Sequence, residues 1–138
     1  DHCPEELFTV IMRRFMMRLS ERIAQRQQCL ALVTGESVAQ VASQTLQAIA
    51  ITNEVCKMPV LRPVIGMDKQ EIIEIARKIG TFEISIQPYE DCCTVFTPKH
   101  PRTRPKLEIV YRAEQALDIE GLIERALAGV EEETIHRK

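Results

Sequence analysis

The sequence predicts an α/β fold with helices flanking a parallel sheet, and three observations carry that reading. Two short apolar runs, Leu30-Ala31-Leu32-Val33 and Val60-Leu61-Arg62-Pro63-Val64, read as strands, and a segment of helical periodicity separates them. Core material is Ile, Leu, Val, Ala and Met, with aromatics at 4% and no Trp, which suits helices over a parallel sheet. At 138 residues, 45% hydrophobic and 28% charged, the chain can bury one ordinary core.

Composition also excludes several classes. The net charge of −2 gives no global field toward nucleic acid and leaves only local patches to do so. No apolar run is long enough to cross a bilayer, and no signal peptide is visible. Five cysteines, an odd number without framework spacing, fit a reducing cytoplasm. No internal repeat or low-complexity segment is present.

The first element is a long helix from about Pro4 to Gln27, with Pro4 suited to its first turn. Leu7, Val10, Ile11, Phe15, Leu19 and Ile23 supply its apolar face. Arg14, Arg18, Arg22 and Arg26 recur every four residues as a basic stripe, for which the favoured reading is a solvated face. Arg13 lies off that stripe beside the apolar face, and a partly buried arginine needs an anionic or carbonyl partner.

Leu30 to Val33 reads as a strand buried on both faces, followed by a strand-to-helix turn at Thr34-Gly35-Glu36-Ser37. Val38, Val41, Ala42, Thr45, Leu46 and Ile49 follow helical spacing, and Ser37 with Gln40 fits a capping box. Gly35 and Glu36 are then the free residues at the carboxyl end of the strand, where open α/β sheets bind ligands.

After the second strand, Asp68 caps a helix with Glu71 at its third position, and Met67 with Ile72 forms a hydrophobic staple. Ile72, Ile73, Ile75, Ala76 and Ile79 mark the face expected to be buried, and Gly80 ends the helix. Lys69 falls in the first turn, where a cation opposes the helix dipole by ~0.3–1 kcal/mol. Two readings stand side by side: a lysine meeting a phosphate at the helix terminus, or an exposed lysine reaching into water.

Beyond Gly80 the pattern loosens toward Pro88-Tyr89-Glu90-Asp91-Cys92-Cys93. The prolines at 98, 101 and 105 then forbid a helix. Lys99, Arg102, Arg104 and Lys106 make this a rigid basic loop suited to phosphate contacts, with a solvated loop as the plain alternative. Adjacent cysteines neither bridge each other without strain nor match a zinc knuckle, so a reactive thiol with a neighbour is the simpler chemistry. Cys29 and Cys56 read as packing thiols. Helical segments Leu107 to Leu117 and Ile119 to Val130 close the chain before an acidic tail.

These residues resemble a family. Thr34-Gly35-Glu36-Ser37 through Gln44-Thr45, Leu61-Arg62-Pro63, Met67-Asp68-Lys69, Ile79-Gly80-Thr81 and Pro88 to Cys93 are similar to the tRNA 4-thiouridine synthetase (ThiI) family. The resemblance covers essentially the whole chain, as the latter part of that family's nucleotide-binding domain, a PP-loop ATP pyrophosphatase. It implies a partial Rossmann-like sheet of the PP-loop type that lacks its first strands. The tRNA-holding domains, the phosphate loop and the rhodanese domain of some members are absent too, so the chain looks like a fragment that adenylates nothing alone.

The resemblance further implies ATP with Mg2+ as cofactor, and tRNA and a cysteine desulfurase as partners, in a cytoplasmic homodimer. The implied activity is sulfur transfer to C4 of uridine 8, with the same relay serving thiamine thiazole synthesis. By the same resemblance Arg13, Gly35, Gln44 and Lys69 bind ATP, Glu36 is expected to join them from its place at the strand edge, and Lys69 also takes part in catalysis. Cys93 delivers sulfur or resolves the persulfide, with Cys92 as its rival, while Lys99, Arg102, Arg104 and Lys106 meet tRNA. Where many members have Gly, this chain has Ala39, which a helix tolerates. A binding module without catalysis and a metal or redox module built on the cysteines are the competing classes.

Overall fold

The computed structural model describes residues 3–38, 44–89 and 103–136. A 3-10 turn, Glu5–Leu7, leads into helix α1, Phe8–Arg26, close to the span that periodicity predicts. Strand β1 (Leu32–Val33), helix α2 (Leu46–Asn53), strand β2 (Val60–Leu61), helices α3 (Lys69–Lys78) and α4 (Phe82–Ser85), and the closing helices α5 (Leu107–Glu114) and α6 (Ile119–Ala128) follow.

β1 and β2 pair in parallel, with Leu32 opposite Val60 and Val33 opposite Leu61. The Leu32 N–H donates to the Pro59 carbonyl at 2.9 Å, and the Thr34 N–H to the Leu61 carbonyl at 3.0 Å. Pairing persists past the strands, because the Val38 N–H donates to the Ile65 carbonyl at 3.0 Å and Ser37 Oγ to the Met67 carbonyl at 2.6 Å. The carboxyl ends of both strands are therefore tied together, and Glu36 and the start of α3 share one edge, as expected.

Leu7, Val10 and Ile11 pack with Ile51 of α2 and Val110 of α5 to form the core centre, which Phe15, Leu107, Ile109 and Ala113 surround. Burying one such large aliphatic side chain stabilises by about 1.5–3 kcal/mol, so this junction of α1, α2 and α5 anchors the fold. α3 carries the expected capping box, with the Glu71 N–H on Asp68 Oδ1 at 2.9 Å and the Asp68 N–H on Glu71 Oε2 at 2.8 Å. It ends at Gly80, whose φ of 76° is the left-handed conformation that glycine adopts without strain.

Tertiary packing revises other expectations. Thr45 is extended (φ −71°, ψ 155°) and its Oγ1 accepts from the Ala48 N–H, so no single helix runs from Val38 to Ile49. Gln40 lies outside the described residues, and the Ser37 hydroxyl donates to Met67. β1 is not buried on both faces: Val33 is 68% exposed, since only β2 pairs with it among the described residues. The apolar side of α3 is likewise only partly covered among the described residues: Ile72, Ile73 and Ala76 are half-buried, Ile75 and Ile79 exposed. Cys29 is exposed because the chain leaves α1 through Gln28 at φ 57° and carries Cys29 off the core. Cys56 is buried, as a packing thiol should be.

The largest revision concerns the basic stripe. Arg14 is fully buried: its Nε and Nη2 each meet Glu114 at 3.0 Å, and its Nη1 meets the Ile51 carbonyl at 2.6 Å and Glu54 at 3.0 Å. Arg18 adds 2.7 and 3.0 Å contacts to the same Glu114. Spacing of four places these arginines on one side of α1, but α5 packs there and brings a carboxylate to them. Burial pushes the Glu114 carboxyl up, yet hydrogen bonds from Arg18 and Arg14 outweigh it and hold the group below its ordinary range.

Candidate functional site

The carboxyl edge of the strand pair is organised by Glu36, which is only 5% exposed. A buried carboxylate is costly unless fully partnered. Arg13 of α1 pairs with its Oε1, while Arg62 Nε at 2.7 Å and Thr34 Oγ1 at 2.9 Å donate to its Oε2. The anionic partner expected for Arg13 is thus Glu36. Arg62 in turn donates from Nη2 to Asn53 Oδ1 at 2.9 Å, at the end of α2. Asn53, Arg62, Glu36 and Arg13 form one hydrogen-bonded chain across four consecutive elements.

The neighbouring residues complete the edge. Gln44 Oε1 accepts the Ser37 N–H at 2.8 Å, which fixes the turn after Glu36 to the residue before the α2 cap. Gly35 is exposed and lacks a positive φ, and a Cβ built there meets nothing within 4 Å. Among the described residues neither backbone conformation nor internal packing demands glycine there, and the backbone of the turn is open to approach. Lys69, the first residue of α3, is exposed two residues beyond the Met67 carbonyl that holds Ser37. Among the described residues it forms no ion pair.

The structure therefore gathers Arg13, Gly35, Glu36 and Gln44 around one turn and puts Lys69 at the same edge. Cys92, Cys93, Lys99 and Arg102 lie outside the described residues. Arg104 and Lys106 are exposed, and the Thr103 carbonyl before them accepts Thr45 Oγ1 at 2.7 Å, which ties this basic segment to the start of α2. Burial pushes the Cys3 and Cys56 thiols up, away from thiolate character. No group of three or more His, Cys, Asp or Glu among the described residues could hold a metal ion. None of the described helices is long and apolar enough to cross a membrane.

Sequence reasoning missed roles for Arg62, Asn53 and Thr34. Arg62 had a signal: it directly follows β2, and the parallel register places it across from Thr34, two residues before Glu36. Asn53 had none, because its contact depends on where α2 ends in space.

A parallel strand pair with a crossover helix, its carboxyl edge lined by a buried carboxylate, arginines and an unhindered glycine, is part of a Rossmann-like α/β fold, a class of fold that binds ligands at that edge. The chain belongs to the family described as Thiamine biosynthesis protein (ThiI), whose model matches residues 1–119. It is 58% identical over 137 residues to a protein named "Probable tRNA sulfurtransferase" from Acetivibrio thermocellus, covering 99% of this chain and 35% of that protein. A protein of the same name from Caldanaerobacter subterraneus subsp. tengcongensis is 59% identical over 124 residues, covering 90% of this chain and 33% of that one. The chain thus spans about a third of the length of these relatives. Among solved structures, a 4-thiouridine synthetase in complex with RNA and bound ATP matches with a TM-score of 0.87 and 42% identity, covering 94% of this chain and 34% of that one.

Proposed function

We propose that residues 1–138 form the carboxyl-terminal part of a PP-loop nucleotide-binding domain in an enzyme that uses ATP to place sulfur on C4 of uridine 8 in tRNA. The relatives' shared name and the bound ATP and RNA of the structural neighbour support this reading. The single observation in this chain that carries it is the turn at Gly35 and Glu36, open to an approaching ligand and braced by Arg13, Arg62 and Gln44.

The chemistry follows from what such an edge can do. Attack by the C4 oxygen on the α-phosphate of ATP releases pyrophosphate and leaves adenylated uridine. A persulfide then attacks C4 through its terminal sulfur, and AMP departs with the oxygen. A second thiol attacks the enzyme-side sulfur, freeing the thiolated base and forming a disulfide that an external thiol must reduce. In this scheme the protein places the reacting groups and stabilises phosphate charge. Arg13, Gly35, Gln44 and Lys69 serve the nucleotide, and Glu36 serves it by holding Arg13. Mg2+ arrives on the phosphates, its usual mode of binding.

Cys93, or Cys92 in its place, handles sulfur supplied by a cysteine desulfurase. Lys99, Arg102, Arg104 and Lys106 hold the tRNA backbone while the base leaves its stack. Exposed Val33, Leu61 and Ile79 support burial against further protein, for which a homodimer is the proposed partner. The same relay would serve thiamine thiazole synthesis in a reducing cytoplasm.

The test uses full-length protein, purified desulfurase and unmodified tRNA. Arg13→Ala and Lys69→Ala should abolish 4-thiouridine formation while the thiols remain alkylatable. Cys93→Ser should abolish it with ATP binding intact, and an active Cys93→Ser beside an inactive Cys92→Ser transfers the role to Cys92. ATP binding undisturbed by Arg13→Ala, Gly35→Ala and Lys69→Ala together would overturn the nucleotide reading.

A further inference from the structure

The hydrogen-bonded chain at the strand edge extends beyond the residues expected to meet the nucleotide. Arg62 is 15% exposed at its side chain and grips two other side chains at once, Nε on Glu36 at 2.7 Å and Nη2 on Asn53 at 2.9 Å, while its Nη1 makes a long 3.5 Å contact to the Val60 carbonyl. A guanidinium held at two points has a fixed plane, and a carboxylate meeting that plane has its own orientation fixed. Glu36 presents its Oε2 to Arg62 and Thr34, which leaves Oε1 directed at Arg13. The four groups therefore form one coupled line, from the end of α2 through Arg62 and Glu36 to Arg13.

We propose that Arg62 and Asn53 are positioning residues for ATP, setting the Arg13 guanidinium at the nucleotide edge through the Glu36 carboxylate. The inference rests on the reading of this edge as a nucleotide site. Lysine at 62 keeps the charge but has no fork to span Glu36 and Asn53. Leucine at 53 keeps most of the volume but offers Arg62 no acceptor. Each change leaves Arg13, Gly35, Gln44 and Lys69 in place chemically and removes only the support behind them.

The experiment is a double-mutant cycle in the full-length protein, with the Kd for ATP and the thermal midpoint measured together. Asn53→Leu and Arg62→Lys should each weaken ATP binding about tenfold, as expected for loss of a hydrogen bond to a charged group. Asn53→Asp, which keeps an acceptor, should restore most of the affinity. In an Arg13→Ala background the same two substitutions should change the Kd less than twofold, because the residue they position is gone. Equal effects in both backgrounds, or effects that only track the thermal midpoint, would overturn the proposal and leave the nucleotide reading standing. An Arg13→Ala protein that binds ATP normally overturns the proposal, and the nucleotide reading falls with it only where Gly35→Ala and Lys69→Ala also bind ATP normally. Should Arg62→Lys fail to fold, Asn53→Leu, at a half-buried helix terminus, decides alone.

Discussion

Arg13 and Arg14 are consecutive residues of one helix, yet they point into opposite kinds of environment. Arg14 is fully buried, bonded twice to Glu114 and once each to Glu54 and the Ile51 carbonyl, with its guanidinium 5.3 Å from the Tyr111 ring centroid. Arg13 keeps 17% of its side chain exposed and meets the Glu36 carboxylate at the mouth of the strand pair. Both clusters pair arginine with a buried glutamate. One closes three helices on each other, and the other stands at the carboxyl edge of the strand pair, where we propose that the nucleotide binds. Buried charge whose donors are satisfied between helices serves folding, and on the proposed reading the cluster at the open edge serves binding.

The comparison can be broken most severely at Arg14. Arg14→Leu leaves Glu114 buried with only Arg18, and should cost about 3–5 kcal/mol of stability by chemical denaturation. Catalytic loss should follow unfolding rather than precede it. Replacing Glu36 by Gln should cost less, about 1–3 kcal/mol, because Arg13 and Arg62 can turn toward water, while ATP binding falls in protein that is still folded. If Glu36→Gln unfolds the protein as readily as Arg14→Leu, the two clusters do not differ in kind.

A pH series sharpens the contrast. Glu114 has a folded-state pKa below its unfolded value of about 4.5, so its contribution is present in full above that value. The contribution is lost as pH falls from about 4.5 through the lower folded value. Glu114→Gln should therefore flatten the acid limb of the stability curve, and denaturation midpoints at several acidic pH values measure it. The smallest stability effect is expected at Gly35. Its backbone lacks a positive φ and its Cβ position is empty, so Gly35→Ala should leave stability unchanged or raise it by up to about 1 kcal/mol. ATP affinity should nevertheless fall, measured by calorimetry on the same sample. An unchanged affinity would mean that nothing approaches the backbone there.

Much of the geometry at this edge is legible in the sequence. Arg13 was singled out because it falls between a basic stripe and an apolar face, and its partner is a carboxylate. Glu36 and Lys69 lie at one edge because strand, turn and helix signals place both at carboxyl ends of parallel strands. Arg62 was visible only as part of a motif, since its role needs the register, and Asn53 needs the end of α2 in space.

By itself the sequence determined whatever depends on a few neighbouring residues: the span of α1, the Asp68 and Glu71 capping box, the left-handed stop at Gly80, the two short strands and the motifs that carry the family resemblance. Those features arise from dihedral preference and local hydrogen bonding, which act within a turn or two of chain. The tertiary structure alone decided which charges are buried. Glu114 is 100 residues from Arg14 and Glu36 is 26 from Arg62. A stripe of arginines reads the same whether water or a glutamate faces it, and likewise the isoleucines of α3 carry a core pattern yet none is fully buried among the described residues. Periodicity records which face of an element is distinctive, and only packing supplies what lies against that face.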